Sequence, residues 1–358
     1  MAGSRRAASV VVTAAGTVVA QGIIKSLRLA SSVDGGRIKY TITATDMSPE
    51  AAGLYRSDRG VLVPGARSRR YLDAMIAVCR EAGAEALFVG SDEELLPLAA
   101  AAERIERESG AVVIVGQRSL VSLGQDKWRT YRFLKKNSLP CAESALPEGM
   151  DGFLREFGFP VVVKPREGHG SLGFQVAGNR EEVEGACAAI TRYGWRPMLQ
   201  EHLGDADQEY TSGVTLDRSG ATVLSSISMR RRLKGGQTFR AFVDDYPEVR
   251  RAAERIAGAL GARGPVNVQA RISDGEPRAF EINPRFSASC PIRAVAGVNE
   301  PDVVFRNWVL GEKVTAERYE KLVCLRFLDE VYVPYPTYEA MASRGEVSQG
   351  GSSVVGYF

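Results

Sequence analysis

Apolar runs rich in β-branched residues alternate with longer amphipathic segments over the first 118 residues. The runs are predicted to be buried strands: SVVVTA, KYTITATD, EALFVG and AVVIVG. The amphipathic segments are predicted to be helices: residues 18–29, YLDAMIAVCREAG and ELLPLAAAAERIERESG. Strands that alternate with helices build a parallel sheet covered by helices, so this part of the chain is predicted to be an α/β domain.

Strand patterns dominate the remainder of the chain. Helices are predicted at residues 126–137, 182–193, 247–260 and 302–310. The predicted strands are FPVVVK, PMLQEHL, QEYTSGVTLD, ATVLSSISMRR, VNVQARI, RAFEIN and VCLRFL. VNVQARI and RAFEIN are joined by the turn-forming segment SDGEP and are predicted to form a hairpin. This second part is therefore predicted to be an α+β fold.

One face of the predicted hairpin carries a cluster of polar side chains. With the turn centred on Gly275, residues two apart share a face, and opposed residues lie about 5 Å apart. The clustered residues are Asn267, Gln269, Glu281 and Asn283. They offer one carboxylate and three amide oxygens, which are hard ligands of the kind magnesium prefers, and Arg285 beyond them has the planar fork that binds phosphate. A polar outer face is the structural alternative, but this composition favours a site for metal and phosphate.

Two of the nine lysines flank segments suited to phosphate. Lys164 ends the strand FPVVVK and precedes the glycine-rich stretch REGHGSLGF, whose backbone N–H groups can approach phosphate oxygens. Lys127 begins the helix DKWRTYRFLKKN. Taken singly, the glycine-rich stretch could be a hairpin turn and Lys127 a surface lysine. Their significance depends on the motifs that accompany them.

The segment MLQEHLGDADQEY could form a hinge that holds a nucleotide. An apolar strand runs into Gln200 and Glu201, and Glu209 follows a short loop. Backbone and side-chain groups at such a hinge could meet an adenine edge, and a carboxylate could bind ribose hydroxyls. From the chemistry of these residues alone, this is a suggestion.

In this order the motifs resemble the ATP-grasp superfamily, in the branch similar to the large subunit of carbamoyl-phosphate synthetase. The resemblance is carried by DKWRTYRFLKKNSLP, FPVVVKPREGHGSLGF, MLQEHLGDADQEYTSGV, GPVNVQAR and FEINPRFSAS. VVTAAGTVVAQGII and GLYRSDRGVLVP look like the domain that precedes the ATP-grasp core in this family. The resemblance implies an ATP-grasp fold with an N-terminal Rossmann-like parallel-sheet domain. Its implied parts are a preceding domain (1–118), a linker helix with an ATP-lid subdomain (119–200), a C-terminal subdomain with the magnesium site (201–312) and an extension (313–358).

The resemblance also implies roles for individual residues. Lys127 and Lys164 would contact the ATP phosphates. The lid loop over the phosphates would contain Gly168, His169, Gly170, Ser171 and Gly173. Adenine and ribose would lie against Gln200, Glu201, His202, Leu203 and Glu209. Magnesium, as two ions that Mn²⁺ can replace, would be held by Gln269, Glu281 and Asn283, and Arg285 would steady the transferred phosphoryl group.

The reaction implied by the resemblance is the ADP-forming ligation of a carboxylate to an amine through an acyl phosphate. Phosphoryl transfer needs positioning and charge neutralisation more than a covalent side chain, which two lysines, an arginine and magnesium could provide. The expected substrates are an amino acid or small peptide and an amine. Arg230, in SMRRRLKGGQTFRAF, and Arg293, in CPIRAVAG, are predicted to bind the carboxylate substrate.

Other classes of function are compatible with parts of the sequence. A carboxylating enzyme acting on bicarbonate, or an ATP-binding protein without turnover, would share the nucleotide motifs. A dinucleotide-dependent oxidoreductase is disfavoured, because TAAGTVVA lacks the G-x-G-x-x-G spacing. With two histidines in the whole chain, the composition argues against a His-based metal cluster and against a Ser-His-Asp or Cys-His catalytic set.

Composition bears on the partners and the cellular compartment expected for the protein. The net charge of +3 and the absence of an interleaved aromatic platform in SMRRRLKGGQTFRAF argue against nucleic acid as partner. The N-terminal run could be read as a signal peptide, but Gln21 and Lys25 interrupt it, so a folded strand is favoured. No other segment is apolar enough to span a bilayer. Five cysteines without a C-x-x-C pair indicate reduced thiols and a cytoplasmic protein, and the resemblance suggests a homodimer.

Overall fold

The computed structural model describes residues 5–32, 37–168, 173–204, 206–316, 318–348 and 352–356. The amino-terminal sheet contains β1 (Arg6–Val12), β2 (Ile38–Asp46), β3 (Arg59–Leu62), β4 (Ala86–Phe88) and β5 (Val112–Ile114). These strands are parallel, as the alternating pattern predicts, and lie in the order β3-β2-β1-β4-β5, in which β3 was not among the predicted strands. The accompanying helices are α1 (Val18–Ser32), α2 (Ala52–Tyr55), α3 (Tyr71–Glu81) and α4 (Asp92–Ser109).

The chain then passes through α5 (Arg118–Gly124) and α6 (Lys127–Lys136) into a second sheet, the small sheet. Its strands are β6 (Ser144–Ala145), β7 (Val161–Pro165), β8 (Gln175–Ala177) and β9 (Pro197–Glu201), paired antiparallel in the order β6-β9-β7-β8. Helices α7 (Met150–Phe157) and α8 (Arg180–Arg192) accompany it, and its core includes Phe153, Val163 and Ile190. Predicted strand FPVVVK and predicted helix 182–193 are thus present, with ends shifted by one or two residues.

The large sheet follows and is also antiparallel. Its strands are β10 (Glu209–Leu216), β11 (Val223–Lys234), β12 (Gln237–Val243), β13 (Gly264–Ser273), β14 (Glu276–Asn283) and β15 (Leu322–Leu325). They lie in the order β14-β13-β10-β11-β12-β15. The helices here are α9 (Pro247–Ala259), α10 (Cys290–Val295) and α11 (Glu300–Trp308). Residues predicted to form separate strands therefore join one continuous sheet.

The end of the chain is divided between two sheets. β15 extends the edge of the large sheet, whereas α12 (Tyr335–Arg344) and β16 (Glu346–Ser348) return to the amino-terminal domain. β16 pairs antiparallel with β3, and Met341 of α12 is fully buried in the core. The segment 313–358, predicted as one extension, is thus part of two structural units.

The amino-terminal domain and the large sheet share a packed interface. Phe286, Val304 and Phe305 belong to the same apolar core as the strands β1 and β2. Helix α1 lies against α10 closely enough that a Cβ on Gly22 would be 3.3 Å from Pro291. This interface holds the amino-terminal domain in a defined position beside the large sheet. Within the part of the chain described, no helix combines the length and apolar character needed to cross a bilayer.

Candidate active site

A cavity of about 570 Å³ lies where the amino-terminal domain, the small sheet and the large sheet meet. The amino-terminal domain contributes residues 16–19 after β1 and 90–93 after β4. The small sheet contributes Lys164 and Gln200, and the large sheet contributes Gln269 and Glu281. The cavity therefore collects most of the chemistry-bearing residues from separate regions of the sequence.

The predicted residue pairs of the hairpin β13–β14 are present, but the turn that joins the two strands differs from the predicted one. Asn267 lies opposite Asn283 and Gln269 opposite Glu281, as expected. The turn is a two-residue loop in which Asp274 and Gly275 both have positive φ, of 54° and 78°. A bulge between Gln269 and Ala270 then shifts the register by one residue and restores the predicted pairs. The turn centred on Gly275 was therefore wrong in geometry although its pairing is confirmed.

The oxygen donors of this hairpin fit a magnesium ion that brings phosphate ligands. Burial alone would raise the pKa of Glu281, but Lys127 and Lys164 and the hydrogen bond from Asn283 lower it overall, so its carboxylate is charged. Among the residues described, no group of three or more His, Cys, Asp and Glu side chains could hold a metal ion. One carboxylate with amides beside it suits magnesium, which commonly takes one or two protein carboxylates and completes its shell with phosphates and water.

Asn267 does not contribute an oxygen to this set. Its Oδ1 accepts hydrogen bonds from Arg293 Nη2 at 3.0 Å and from Thr211 Oγ1 at 2.9 Å. The Gln269 oxygen accepts from Arg231 Nη2 at 2.7 Å. An amide oxygen has two lone pairs, and the two hydrogen bonds occupy both of them on Asn267. Gln269 and Asn283 each accept one hydrogen bond from an arginine, so the predicted three amide oxygens fall to two.

The two singled-out lysines reach the cavity from different elements. Asp126 caps α6, so that Lys127 starts the helix, and Lys127 Nζ donates to the carbonyl of Gly168 at 2.7 Å. Lys164 Nζ donates to Gln200 Oε1 at 2.7 Å across the β7–β9 pair. Burial, and then the charge of Lys127, lower the pKa of Lys164 to about 7. Both amino groups line the cavity together with Glu281.

The glycine-rich stretch is described only at its two ends. Gly168 lines the cavity with φ +110°, and Gly173 has φ +70°. A Cβ on Gly173 would lie 2.9 Å from Pro165, so this position favours glycine for two reasons. His169, Gly170 and Ser171 lie outside the described residues, and their assignment to a lid loop remains a prediction.

The predicted hinge lies along one side of the cavity. Gln200, Glu201 and Leu203 line it. Glu201 accepts hydrogen bonds from the backbone of Glu143 at 2.7 Å and from Arg278 at 3.2 Å. His202 lies between these lining residues, and burial, followed by the charge of Arg271, lowers its pKa. The hinge is compatible with the predicted adenine site.

Glu209 is held by two arginines that were not among the predicted site residues. Its Oε1 accepts from Arg231 at 2.8 and 3.0 Å, and its Oε2 accepts from Arg271 at 2.8 and 3.1 Å. All three side chains line the cavity. The predicted ribose-binding carboxylate is therefore part of a buried network with a net positive charge.

The structure places Arg231, rather than the predicted Arg230, at the cavity. Successive residues of β11 face opposite sides, and Arg230 lies on the other face with its guanidinium carbon 4.4 Å from the centre of the Phe242 ring. Arg240 likewise stacks on Phe239 at 4.2 Å. Both aromatic partners lie within SMRRRLKGGQTFRAF, where no interleaved aromatic platform was expected. Arg231 could have been identified from its two-residue spacing to the buried Met229.

The remaining predicted arginines differ in position. Arg285 lines the cavity and forms a bidentate ion pair with Asp92, with N···O distances of 2.8 and 3.1 Å. Arg293 is 0% exposed and is paired with Glu300 at 3.3 Å. It contacts Asn267, which lines the cavity, from this buried position. The cavity loop 16–19 lies within the quoted segment VVTAAGTVVAQGII, whereas Asp92 lies in none of the motifs quoted from the sequence.

Family models match two parts of the chain. A model described as ATP-grasp in the biosynthetic pathway with Ter operon matches residues 197–326. A model described as PylC-like, N-terminal domain, matches residues 12–114. The two matches coincide with the large-sheet region and with the parallel-sheet domain.

Curated relatives are similar over about half of the chain. The N-terminal section of the carbamoyl phosphate synthase large chain of Methanopyrus kandleri is 29% identical over 189 residues, which cover 48% of this chain and 33% of that protein. The carbamoyl phosphate synthase large chain of Thermomicrobium roseum is 28% identical over 215 residues, 54% of this chain and 19% of that protein. The chain thus spans a third or less of the length of these relatives.

Solved structures resemble the whole chain. N5-carboxyaminoimidazole ribonucleotide synthetase from Thermus thermophilus has a TM-score of 0.66 at 18% identity and covers 92% of this chain and 85% of its own. The biotin carboxylase domain of the Hydrogenobacter thermophilus 2-oxoglutarate carboxylase, solved with MgADP and bicarbonate, has a TM-score of 0.66 at 18% identity. The match covers 98% of this chain and 83% of that chain. The chain therefore has an ATP-grasp fold, in which an ATP-grasp domain is preceded by a PylC-like N-terminal domain.

Proposed function

We propose that this protein is an ATP-dependent ligase that joins a carboxylate to an amine and releases ADP and phosphate. The observation that carries the proposal is the convergence of cations and metal ligands in one cavity. Lys127, Lys164 and Arg285 line it beside the Gln269–Glu281 pair. This combination suits a triphosphate more than a neutral ligand, because several positive groups share a partly enclosed space.

The chemistry proceeds in two displacements. A carboxylate oxygen of the substrate attacks the γ-phosphorus of ATP, and the bond to the bridging oxygen breaks to release ADP. The amine then attacks the acyl carbon, loses a proton and displaces phosphate. Lys164 and Lys127 neutralise charge on the phosphates, and Arg285 orients the phosphoryl group during its transfer.

Magnesium would be held by Glu281 with the amide oxygens of Gln269 and Asn283. When bound, it would neutralise phosphate charge and align the γ-phosphoryl group, and two ions are expected. Glu281 is suited to this role because nearby positive charges keep its carboxylate ionised. Arg231 keeps Gln269 in place through the 2.7 Å hydrogen bond to its oxygen.

The substrates are proposed to be an amino acid or small peptide and a second compound with a free amine. Between the two neighbouring arginines of β11, Arg231 is the one proposed to face the carboxylate. It lines the cavity, where it is bound to Glu209, whereas Arg230 stacks on the far face of the sheet. A carboxylating reaction on bicarbonate is the second candidate. It is favoured by the similarity to a biotin carboxylase domain solved with bicarbonate.

Product release tests the proposal directly. Purified protein would be mixed with Mg-ATP and pairs of amino acids, and separately with bicarbonate plus ammonia, while ADP, AMP and phosphate are measured. Phosphate release that requires one acid and one amine supports the ligase and identifies both substrates. Stimulation by bicarbonate with ammonia, but by no pair of amino acids, supports the second candidate, and formation of AMP contradicts an acyl phosphate. Glu281→Gln should reduce the rate by about 100-fold, or ~2.7 kcal/mol, because it removes the carboxylate of the metal site.

A further inference from the structure

The ion pair between Asp92 and Arg285 joins two domains at the cavity. Asp92 is the first residue of α4 in the amino-terminal domain, and Arg285 follows the last strand of the β13–β14 hairpin. Arg285 Nε lies 2.8 Å from Asp92 Oδ1, and Nη2 lies 3.1 Å from Oδ2. The side chains are only 12% and 22% exposed. Such a two-point contact fixes the plane of a guanidinium as well as its position.

The carboxylate of Asp92 is presented by a rigid frame. Two residues further along α4, Glu94 is buried and accepts hydrogen bonds from Tyr71 at 2.8 Å, from Ser91 at 3.1 Å and from Thr13. Gly90 approaches the backbone so closely that a Cβ there would lie 1.9 Å from the carbonyl oxygen of Thr13. The loop before α4 is therefore fixed to the end of β1.

The other contacts of Arg285 complete its orientation. Its Nη1 donates to the carbonyl of Phe286 at 3.2 Å, and its Nη2 also reaches Asn283 Oδ1 at 3.4 Å. Phe286 is 1% exposed and belongs to the core that the two domains share. The guanidinium is thus held between the docked amino-terminal domain and the strand that carries the metal ligands.

We propose that Asp92 is a positioning residue that holds Arg285 in the orientation needed for phosphoryl transfer. This inference rests on the proposed function, and it gives the amino-terminal domain a part in catalysis through the first turn of α4. Asn at position 92 would keep the shape but present an NH₂ group or a single neutral acceptor to the guanidinium. Arg285 would then sample several orientations, and transfer would slow while nucleotide contacts made elsewhere persist.

The test compares Asp92→Asn, Asp92→Glu and the matched control Glu106→Gln. Glu106 lies on the same helix and also pairs with an arginine of the large-sheet region, Arg218, but far from the cavity. In the ADP-release assay, Asp92→Asn should lower kcat about 10- to 100-fold, while the KM for the carboxylate substrate changes less than about twofold. Asp92→Glu should restore part of the rate, and Glu106→Gln should leave it unchanged. Thermal denaturation of each variant verifies folding.

Nucleotide affinity supplies a readout that does not need the ligase substrates. Calorimetry measures the dissociation constants of Mg-ADP and of a non-hydrolysable Mg-ATP analogue. The ratio of the ADP constant to the analogue constant reports how much the γ-phosphate adds to binding, and this ratio should fall at least about fivefold in Asp92→Asn. An unchanged ratio, or a raised substrate KM with normal kcat, overturns the positioning role. Wild-type protein that binds both nucleotides but turns over no substrate pair would contradict the proposed function instead, and the affinity comparison would still decide the inference.

Discussion

The buried side chain of Lys164 makes the charge of the cavity depend on pH. Lys164 is 5% exposed, and its amino group donates to Gln200, which is neutral, rather than to a carboxylate. Burial and the charge of Lys127 lower its pKa to about 7, against partial compensation by Glu281 and Glu209. Above pH 7 the neutral amine is thus the main form in the free protein, and below it the cation.

Nucleotide binding should therefore be accompanied by proton uptake at alkaline pH. A polyanion favours the charged lysine and raises its pKa, so that near pH 8.5 up to about one proton should be taken up per Mg-ADP bound. Calorimetry in buffers of different ionisation enthalpy measures this number, and Lys164→Gln provides the baseline. The difference between the two proteins should disappear near pH 5.5. Equal uptake by the two proteins at pH 8.5 would contradict this account, since Lys164 would then gain no proton when the nucleotide binds.

At the scale of an element, the β13–β14 hairpin decides whether Gln269 and Glu281 meet. Its turn requires positive φ at Asp274 and Gly275, which matches the right-handed twist of the strands. The bulge then corrects the register so that the polar pairs oppose each other. A shift of one residue would turn Glu281 to the opposite face and remove it from the cavity.

Replacing Gly275 by alanine should destabilise the protein by about 1 kcal/mol, because an L side chain is strained at φ +78°. No atom lies within 4 Å of the added Cβ, so the cost is conformational. Gly258 in α9 is a matched control, since its Cβ would also meet nothing within 4 Å and its backbone is helical. Gly258→Ala should stabilise by roughly 0.5–1 kcal/mol. Urea denaturation measures both changes, and equal signs would refute this account of the turn.

At the scale of the whole molecule, the chain ends by closing the domain with which it begins. β16 covers the edge of β3, and α12 places Met341 in the core of the amino-terminal sheet. That core continues across the domain interface to Phe286 and Phe305. Stability of the first domain is therefore coupled to residues more than two hundred positions away, including those beside Arg285.

Met341→Ala should lower the free energy of unfolding by about 2–5 kcal/mol, the usual cost of a cavity left by a buried methionine. Tyr335→Ala, in the same helix at a side chain that is 71% exposed, should change it by less than about 0.5 kcal/mol. Thermal and urea denaturation of the intact chain compare the two variants. A small effect of Met341→Ala would show that α12 contributes little to the core.

Local periodicity accounts for what could be predicted from the sequence. The apolar runs of β1, β2, β4 and β5 identified the parallel sheet, because buried strands and amphipathic helices each leave a pattern within a few residues. The two-residue repeat likewise placed Gln269 opposite Glu281. Lys127 and Lys164 were recognised through motifs whose order resembles the ATP-grasp superfamily, and both line the cavity.

The sequence by itself determined most of the helices and strands, the polar face of the hairpin and the resemblance from which the ATP-grasp fold was predicted. Tertiary structure alone decided that Glu209 is bound by Arg231 and Arg271, that Asp92 meets Arg285, and that the chain end is shared by two sheets. Asp92 and Arg285 are 193 residues apart, so no local pattern links them. Their contact depends on how helices α1 and α10 dock the domains, and docking is set by the fit of whole surfaces rather than by the spacing of neighbours.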